Sequence, residues 1–165
     1  MGLSEDLERV ALQERELVLP RLDSQVAWEL GTRLRTMAEE RKLTLVIDVR
    51  RFGQLLFYAA LDGTTPDNAE WVRRKSNVVA RFHRSSYGVG MTLKQKNTTL
   101  LERQGLPVAD YATDGGAFPI RVAGAGVVGS VTVSGLPQRA DHELVVEALC
   151  AVLGREYAEL KLAAE

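Results

Sequence analysis

The sequence predicts an α+β domain, with an antiparallel sheet and helices packed on it. Three observations carry that reading. Four stretches repeat apolar residues at helical spacing, and four shorter ones are apolar runs or alternations of strand length. The two kinds follow one another as helices and hairpins, without the regular strand–helix–strand rhythm of a parallel sheet. The 165 residues, 45% hydrophobic and 26% charged, suffice for one domain that buries its own core without disulfides. Residues 1–165 are therefore predicted as a single domain, with 155–165 as a helical C-terminal tail.

Ser4 can cap a first helix over about 5–16, with Leu7, Val10, Ala11 and Leu17 on one side. Asp23 or Ser24 can cap a second over about 24–41, where Val26, Ala27, Leu30, Leu34, Met37 and Ala38 follow helical spacing. LTLVIDV (43–49) and QLLFYAAL (54–61) read as a hairpin across Arg51-Phe52-Gly53. Alternation puts Leu45, Ile47 and Val49 on one face, and Asp48 and Arg50 on a less buried one where they can pair. Thr65-Pro66 is a good helix start for a third helix over about 66–84, because proline is tolerated in the first turn. A short helix is expected near 98–104, and either a helix or a strand near 87–94. FPIRVA (118–123) and VVGSVTVS (127–134) read as two strands across a glycine-rich turn. Asp141 can start a last helix with Leu144, Val145, Ala148, Leu149, Val152 and Leu153 as its apolar face. Trp28 and Trp71 are expected in the core or an interface.

Charge and composition exclude several function classes. Twenty-one basic and 22 acidic residues leave a net charge of −1, which does not attract nucleic acid or an anionic membrane. No apolar run reaches the ~18 residues of a membrane span. The acidic N-terminus lacks a signal peptide's apolar stretch, and the single cysteine, Cys150, suits a reducing compartment, so the expected location is cytoplasmic. GAGVVG (124–129) matches a dinucleotide-binding string, but a strand-like SVTV follows where a helix would have to begin. Two isolated histidines, His83 and His142, are poor metal equipment, and His83 is only a weak metal candidate.

The most informative local feature is a run without acids between Glu70 and Glu102. At about 100° per residue, Arg73, Arg74, Arg81 and Arg84 share one arc of the third helix with Asn77, opposite Trp71, Val72, Val78, Val79 and Phe82. A guanidinium stripe of this kind suits carboxylates and phosphates. It reads either as an anion site or docking surface, with the acidic C-terminal stretch as one partner, or as a solvated face. Lys75 falls in the middle of the apolar arc, where it either snorkels to water or lines a pocket that would lower its pKa.

VIDVRR (46–51), GTTPDNAEWVRRK (63–75), RFHRSSY (81–87), DGGAFPIRV (114–122) and GVVGSVTVSGLPQRADHELVVEAL (126–149) together resemble the haem-degrading-domain family, the superfamily of the small proteins called HbpS and GlcG. The resemblance spans about residues 5–154, with GG-x-FPI and the strand–VSG–Asp–helix ending as its most specific parts. It implies a profilin-like fold with a central antiparallel sheet of about five strands flanked by helices, a homo-oligomer, and haem as a cofactor in some members. It also implies a pocket whose wall could include Gly115, Gly116, Phe118 and Ser134, faced by Thr65, Asn68, Arg73, Lys75 and Asn77. Haem iron takes an axial His, Cys, Met or Tyr, and His83, Tyr87, Met91 and Tyr111 are within the matched region. Arg73, Arg74, Arg81 and Arg84 could hold propionates or any other carboxylate. Two functions follow: a domain that binds haem or another small anionic ligand, or a non-catalytic oligomeric scaffold or interaction module. The residues assign no reaction to either.

Overall fold

The computed structural model describes residues 2–165. Helix α1 (Leu3–Glu16) leads through a two-residue strand, β1 (Val18–Leu19), to α2 (Ser24–Glu40). Asp23 caps α2 by accepting from the Val26 N–H at 2.9 Å. The hairpin β2 (Val46–Arg51) and β3 (Gln54–Ala60) precedes α3 (Pro66–Phe82), α4 (Ser86–Gln95) and the short α5 (Leu100–Gln104). A second hairpin, β4 (Ala117–Val122) and β5 (Gly126–Ser134), is followed by α6 (Gln138–Leu153) and a four-residue helix, α7 (Tyr157–Leu160).

The five strands lie in the order β1-β4-β5-β2-β3. Four of them pair antiparallel, as the hairpin pattern predicts, but β1 adds to β4 in parallel and makes the sheet mixed. Two residues carry too little periodicity to announce a strand. Register sorts the side chains by chemistry. Ile47, Val49, Phe118, Ile120, Val131 and Val133 face α2 and α6 and form the main core. Asp48, Ser130, Thr132 and Ala117 share the opposite face, which α3 covers. Asp48 does pair with Arg50, Nε to Oδ1 at 2.8 Å, but its face is not the open one expected, since Asp48 has no solvent exposure.

Several boundaries move for identifiable reasons. α3 stops at Phe82 because His83 takes a left-handed conformation, φ 56°, as its C-cap. Ser85 then caps α4, so the segment near 87–94 is a helix, and Arg84 lies between two helices rather than on α3. α6 begins at Gln138, a turn earlier than its acidic cap candidate Asp141. Helix within 155–165 is confined to α7. Trp28 is 60% exposed and packs edge-on against Phe57 instead of entering the core.

The C-terminal segment docks by burying Leu160 and Leu162 and through a set of polar bonds. Gln13 Nε2 donates to the Leu160 carbonyl at 2.9 Å and to Glu143 at 3.1 Å, which fixes the orientation of its amide. Its Oε1 therefore accepts from His142 Nε2 at 2.7 Å. Nδ1 of the His142 ring is buried without a partner, between Tyr87 and Phe118. Burial, helped by the nearby Arg139 guanidinium and opposed by Asp6, pushes the His142 pKa down to about 3. The folded chain thus keeps this imidazole neutral where the unfolded chain takes up a proton below about pH 6.5. Stability should fall as pH drops from about 6.5 towards 3, by up to about 1.4 kcal/mol per pH unit from this group. Urea midpoints measured across that range should lose one proton's worth of slope in His142→Gln; an unchanged slope would mean that the ring titrates normally when folded.

Candidate functional site

The N-terminal half of α3, the Asp114–Gly116 segment and the β5–α6 turn enclose a cleft of about 270 Å³. Each wall has a local cause. At the start of α3, Asn68 Oδ1 accepts from the Thr65 N–H at 2.9 Å, turning residues 67, 68 and 71 towards the opening. Gly115 N–H donates to Gln138 Oε1 at 3.0 Å, tying the glycine pair to the first turn of α6. Gly116 sits at φ 138°, where a Cβ would overlap both the Lys75 ammonium and the Val133 carbonyl.

Lys75 forms the floor and is 2% exposed. Its Nζ donates to the carbonyls of Val133 at 2.7 Å and Gly115 at 3.0 Å, and to Asp141 Oδ2 at 3.2 Å. Of the two readings open for Lys75, the structure shows the pocket and not the snorkel. Asp141 Oδ1 accepts from the Leu136 N–H at 3.0 Å, so both ends of the pair are held. Burial lowers the Lys75 pKa, against the pull of Asp141 and Asp114, and raises that of Asp141 against Lys75 and two backbone N–H groups.

Of the residues singled out from sequence, Asn68, Lys75, Gly115 and Ser134 line this cleft, Gly116 abuts its floor and Thr65 lies at the exposed helix cap. Phe118 does not belong to it: strand alternation turns that ring to the other face of the sheet, 1% exposed in the main core. The arginine stripe also disperses. Arg73 pairs with Glu70 at 3.0 Å and Asp110 at 3.1 Å and donates to the Ala109 carbonyl at 2.8 Å. Arg74 lies over Trp71, 4.6 Å from the ring, and donates to the Val108 carbonyl, and Asn77 donates to the Asp110 carbonyl at 2.8 Å. Arg84 turns to Gly88 and Thr92 on α4, and Arg81 points to solvent at the far end of α3. The three side chains on α3 are a latch for the 108–112 loop, not an anion cradle. Among the described residues, none of the ion pairs of the acidic C-terminal stretch is with the stripe: Glu147 pairs with Arg41, Glu165 with Arg139 and Asp141 with Lys75, while Glu143 accepts from Gln13 and Tyr157.

Sequence reasoning missed Asp67, Trp71, Asp114, Gln138 and Asp141 as cleft residues. One signal pointed to Asp141: a lysine inside an apolar arc needs a buried counter-charge, and the last helix opens on an acid. The latch has its own expected result. Replacing Arg73 and Arg74 together by alanine should speed hydrogen exchange at the Ala112 amide, which donates to the Arg74 carbonyl, while global stability changes by about 1 kcal/mol or less, as for exposed ion pairs. Unchanged exchange at Ala112 would remove the latch.

Fold and site together define a class: a small α+β domain whose mixed sheet carries a polar cleft between one covering helix and a glycine-rich segment. The sequence matches the family described as "Haem degrading protein HbpS-like" over residues 22–150, and the chain belongs to that family. UPF0303 proteins are similar along nearly its whole length: that of Acidobacterium capsulatum is 65% identical, covering 98% of each chain, and that of Burkholderia thailandensis 61%, covering 99% of each. Among solved structures, the Ybr137w protein is 30% identical with a TM-score of 0.82, covering 90% of this chain and 87% of the other. HbpS is 23% identical with a TM-score of 0.64, covering 82% and 92%, and a PduOC:heme complex 16% with 0.66, covering 79% and 94%; these two share the fold.

Haem can be tested against the residues. The cleft wall holds no His, Cys, Met or Tyr to ligate iron, and its volume lies below the ~300–1,000 Å³ of pockets for drug-sized ligands. His83 is exposed at the C-terminus of α3, stacked on Phe52. The Tyr87 hydroxyl donates to Asp6 at 2.9 Å and accepts from Arg139 at 3.2 Å, Met91 is buried with Val10, and Tyr111 packs on a separate cluster with Val78 and Leu106. The cleft does not fit haem. Among the described residues there is also no group of three or more His, Cys, Asp or Glu that could hold a metal ion. No helix among them is long and apolar enough to cross a membrane.

Proposed function

We propose that this HbpS-like family member binds a small polar ligand in the Lys75–Asp141 cleft, and that the ligand is a compact amine or polyol rather than haem or an anion. The observation that carries this reading is the charge of the walls. Asp67, Asp114 and Asp141 line the cleft with a single ammonium, and that ammonium already has its three acceptors. An incoming anion would find no free donor of opposite charge, whereas an ammonium meets the Asp67 and Asp114 carboxylates beside the Trp71 ring. The family description and the haem complex of a fold relative support ligand binding as a use of this fold; they do not supply an iron ligand here.

The test is a thermal-shift and calorimetric titration with putrescine, ethanolamine and glycerol, alongside haemin followed by its Soret band. A saturating amine or polyol should raise Tm, since ligand at about 100 Kd adds roughly 2.7 kcal/mol. The shift should be lost for amines in the Asp67→Asn, Asp114→Asn double variant. Saturable haemin binding that survives in that variant, with no response to the small probes, would overturn the reading.

A further inference from the structure

The geometry points to a second binding site, for a small carboxylic acid with an apolar body, in the pocket where Arg139 and Lys94 meet the C-terminal segment. This site is independent of the Lys75–Asp141 cleft. Between the start of α1, α4 and the first turn of α6 lies a pocket of about 490 Å³, within the ~300–1,000 Å³ of small-molecule sites. Leu3, Met91 and Pro137 supply its apolar wall, and Asp6, Lys94 and Arg139 its charge.

Arg139 is fixed from behind and engaged only loosely in front. Its Nη1 is held by the Asp6 carboxylate and by the Tyr87 hydroxyl at 3.2 Å, and that hydroxyl donates to Asp6 at 2.9 Å. Asp6 and Tyr87 are both buried, so this side of the guanidinium cannot turn to a ligand. Nε and Nη2 form the edge of the fork that takes both oxygens of a carboxylate. There the chain supplies its own stand-ins: the Ala163 carbonyl accepts from Nη2, and Glu165, its side chain 81% exposed, stands 3.7 Å from Nε.

Charge selects an anion. Asp6 balances Arg139, and Lys94, exposed on the rim, enters no ion pair among the described residues. Of the lining residues, Glu165 alone is left to answer that positive charge. Pro137 gives α6 no side-chain cap, so the positive end of a 16-residue helix adds to it. An exposed contact such as that of Glu165 is cheaply displaced. The segment would stay anchored at Leu162, which is buried and whose N–H donates to Glu143 at 2.6 Å, so only Ala163–Glu165 need move.

Calorimetric titration of the full chain with hexanoate, beside its uncharged counterpart hexanamide, tests the proposal. Hexanoate should bind saturably and hexanamide should not. Lys94→Gln should weaken hexanoate binding about threefold and Glu165→Gln should tighten it about threefold, the size of one exposed charge contact. Arg139→Gln should remove it; should that variant not fold, the two exposed variants decide. On titration the amide resonances of Met91, Arg139 and Glu165 should shift while those of Asp67 and Trp71 stay still, and the Asp67→Asn, Asp114→Asn variant should bind hexanoate as the wild type does, whatever that variant does to amines. No saturable hexanoate binding, equal binding of hexanamide, an affinity indifferent to both Lys94→Gln and Glu165→Gln, or shifts centred on Asp67 and Trp71 overturns it.

Discussion

Replacing Lys75 by alanine should cost about 3–5 kcal/mol, the penalty for breaking a buried ion pair on one side only. The ammonium is the sole side-chain partner of Asp141 Oδ2, and it also satisfies the carbonyls of Gly115 and Val133. Truncation leaves a buried carboxylate and two carbonyls without their shared donor at the junction of α3, β5 and α6. Asp141→Asn should cost less, because the amide keeps one acceptor oxygen, for either the Leu136 N–H or the lysine, and leaves only the other donor unmatched. Lys75→Met combined with Asp141→Leu should recover much of the loss, since a well-packed apolar pair often matches a buried salt bridge. Urea denaturation of these variants beside the wild type measures each loss, and adding the single variants Lys75→Met and Asp141→Leu closes a double-mutant cycle. If Lys75→Ala loses less than about 1 kcal/mol, as exposed ion pairs do, the floor of the cleft is wetter than its geometry shows.

Gly116→Ala should be almost as costly, about 2–6 kcal/mol, by a different route. At φ 138° an L-residue is strained by roughly 1–3 kcal/mol, and the added methyl would overlap the Lys75 ammonium and the Val133 carbonyl. The lysine must then leave its acceptors or β4 must shift against β5. Gly105→Ala is the control: its φ is also positive, 69°, but no atom lies within reach of a Cβ, so it should show backbone strain alone. Equal losses for the two variants would show that the clash contributes nothing and that Lys75 can retreat freely.

Both effects arise at a place the sequence marked only indirectly. The periodicity of α2, α3 and α6, the two hairpins and the alternation of β2 were legible because each is a local consequence of which side chains meet water. The family resemblance brought Asn68, Lys75, Gly115, Gly116 and Ser134 forward together, and those five do converge on the cleft or its floor. The arginine stripe failed for two reasons that no helical wheel contains. His83 ends α3 before Arg84, and the 108–112 loop returns to occupy Arg73, Arg74 and Asn77. Phe118 was misplaced because a motif read as a string does not tell which face of a strand each of its residues takes.

What the sequence determined by itself is the set of helices and hairpins, because short-range spacing of apolar side chains and capping residues decides them with few distant contacts. Only the tertiary structure decided the chemistry of the cleft. Lys75 and Asp141 are 66 residues apart, and whether such charges end as a solvated face or a buried pair depends on which surfaces α3 and α6 turn towards the sheet. That choice is made by burying apolar area across the whole domain, and the desolvation it imposes is what turns a lysine and an aspartate into a site.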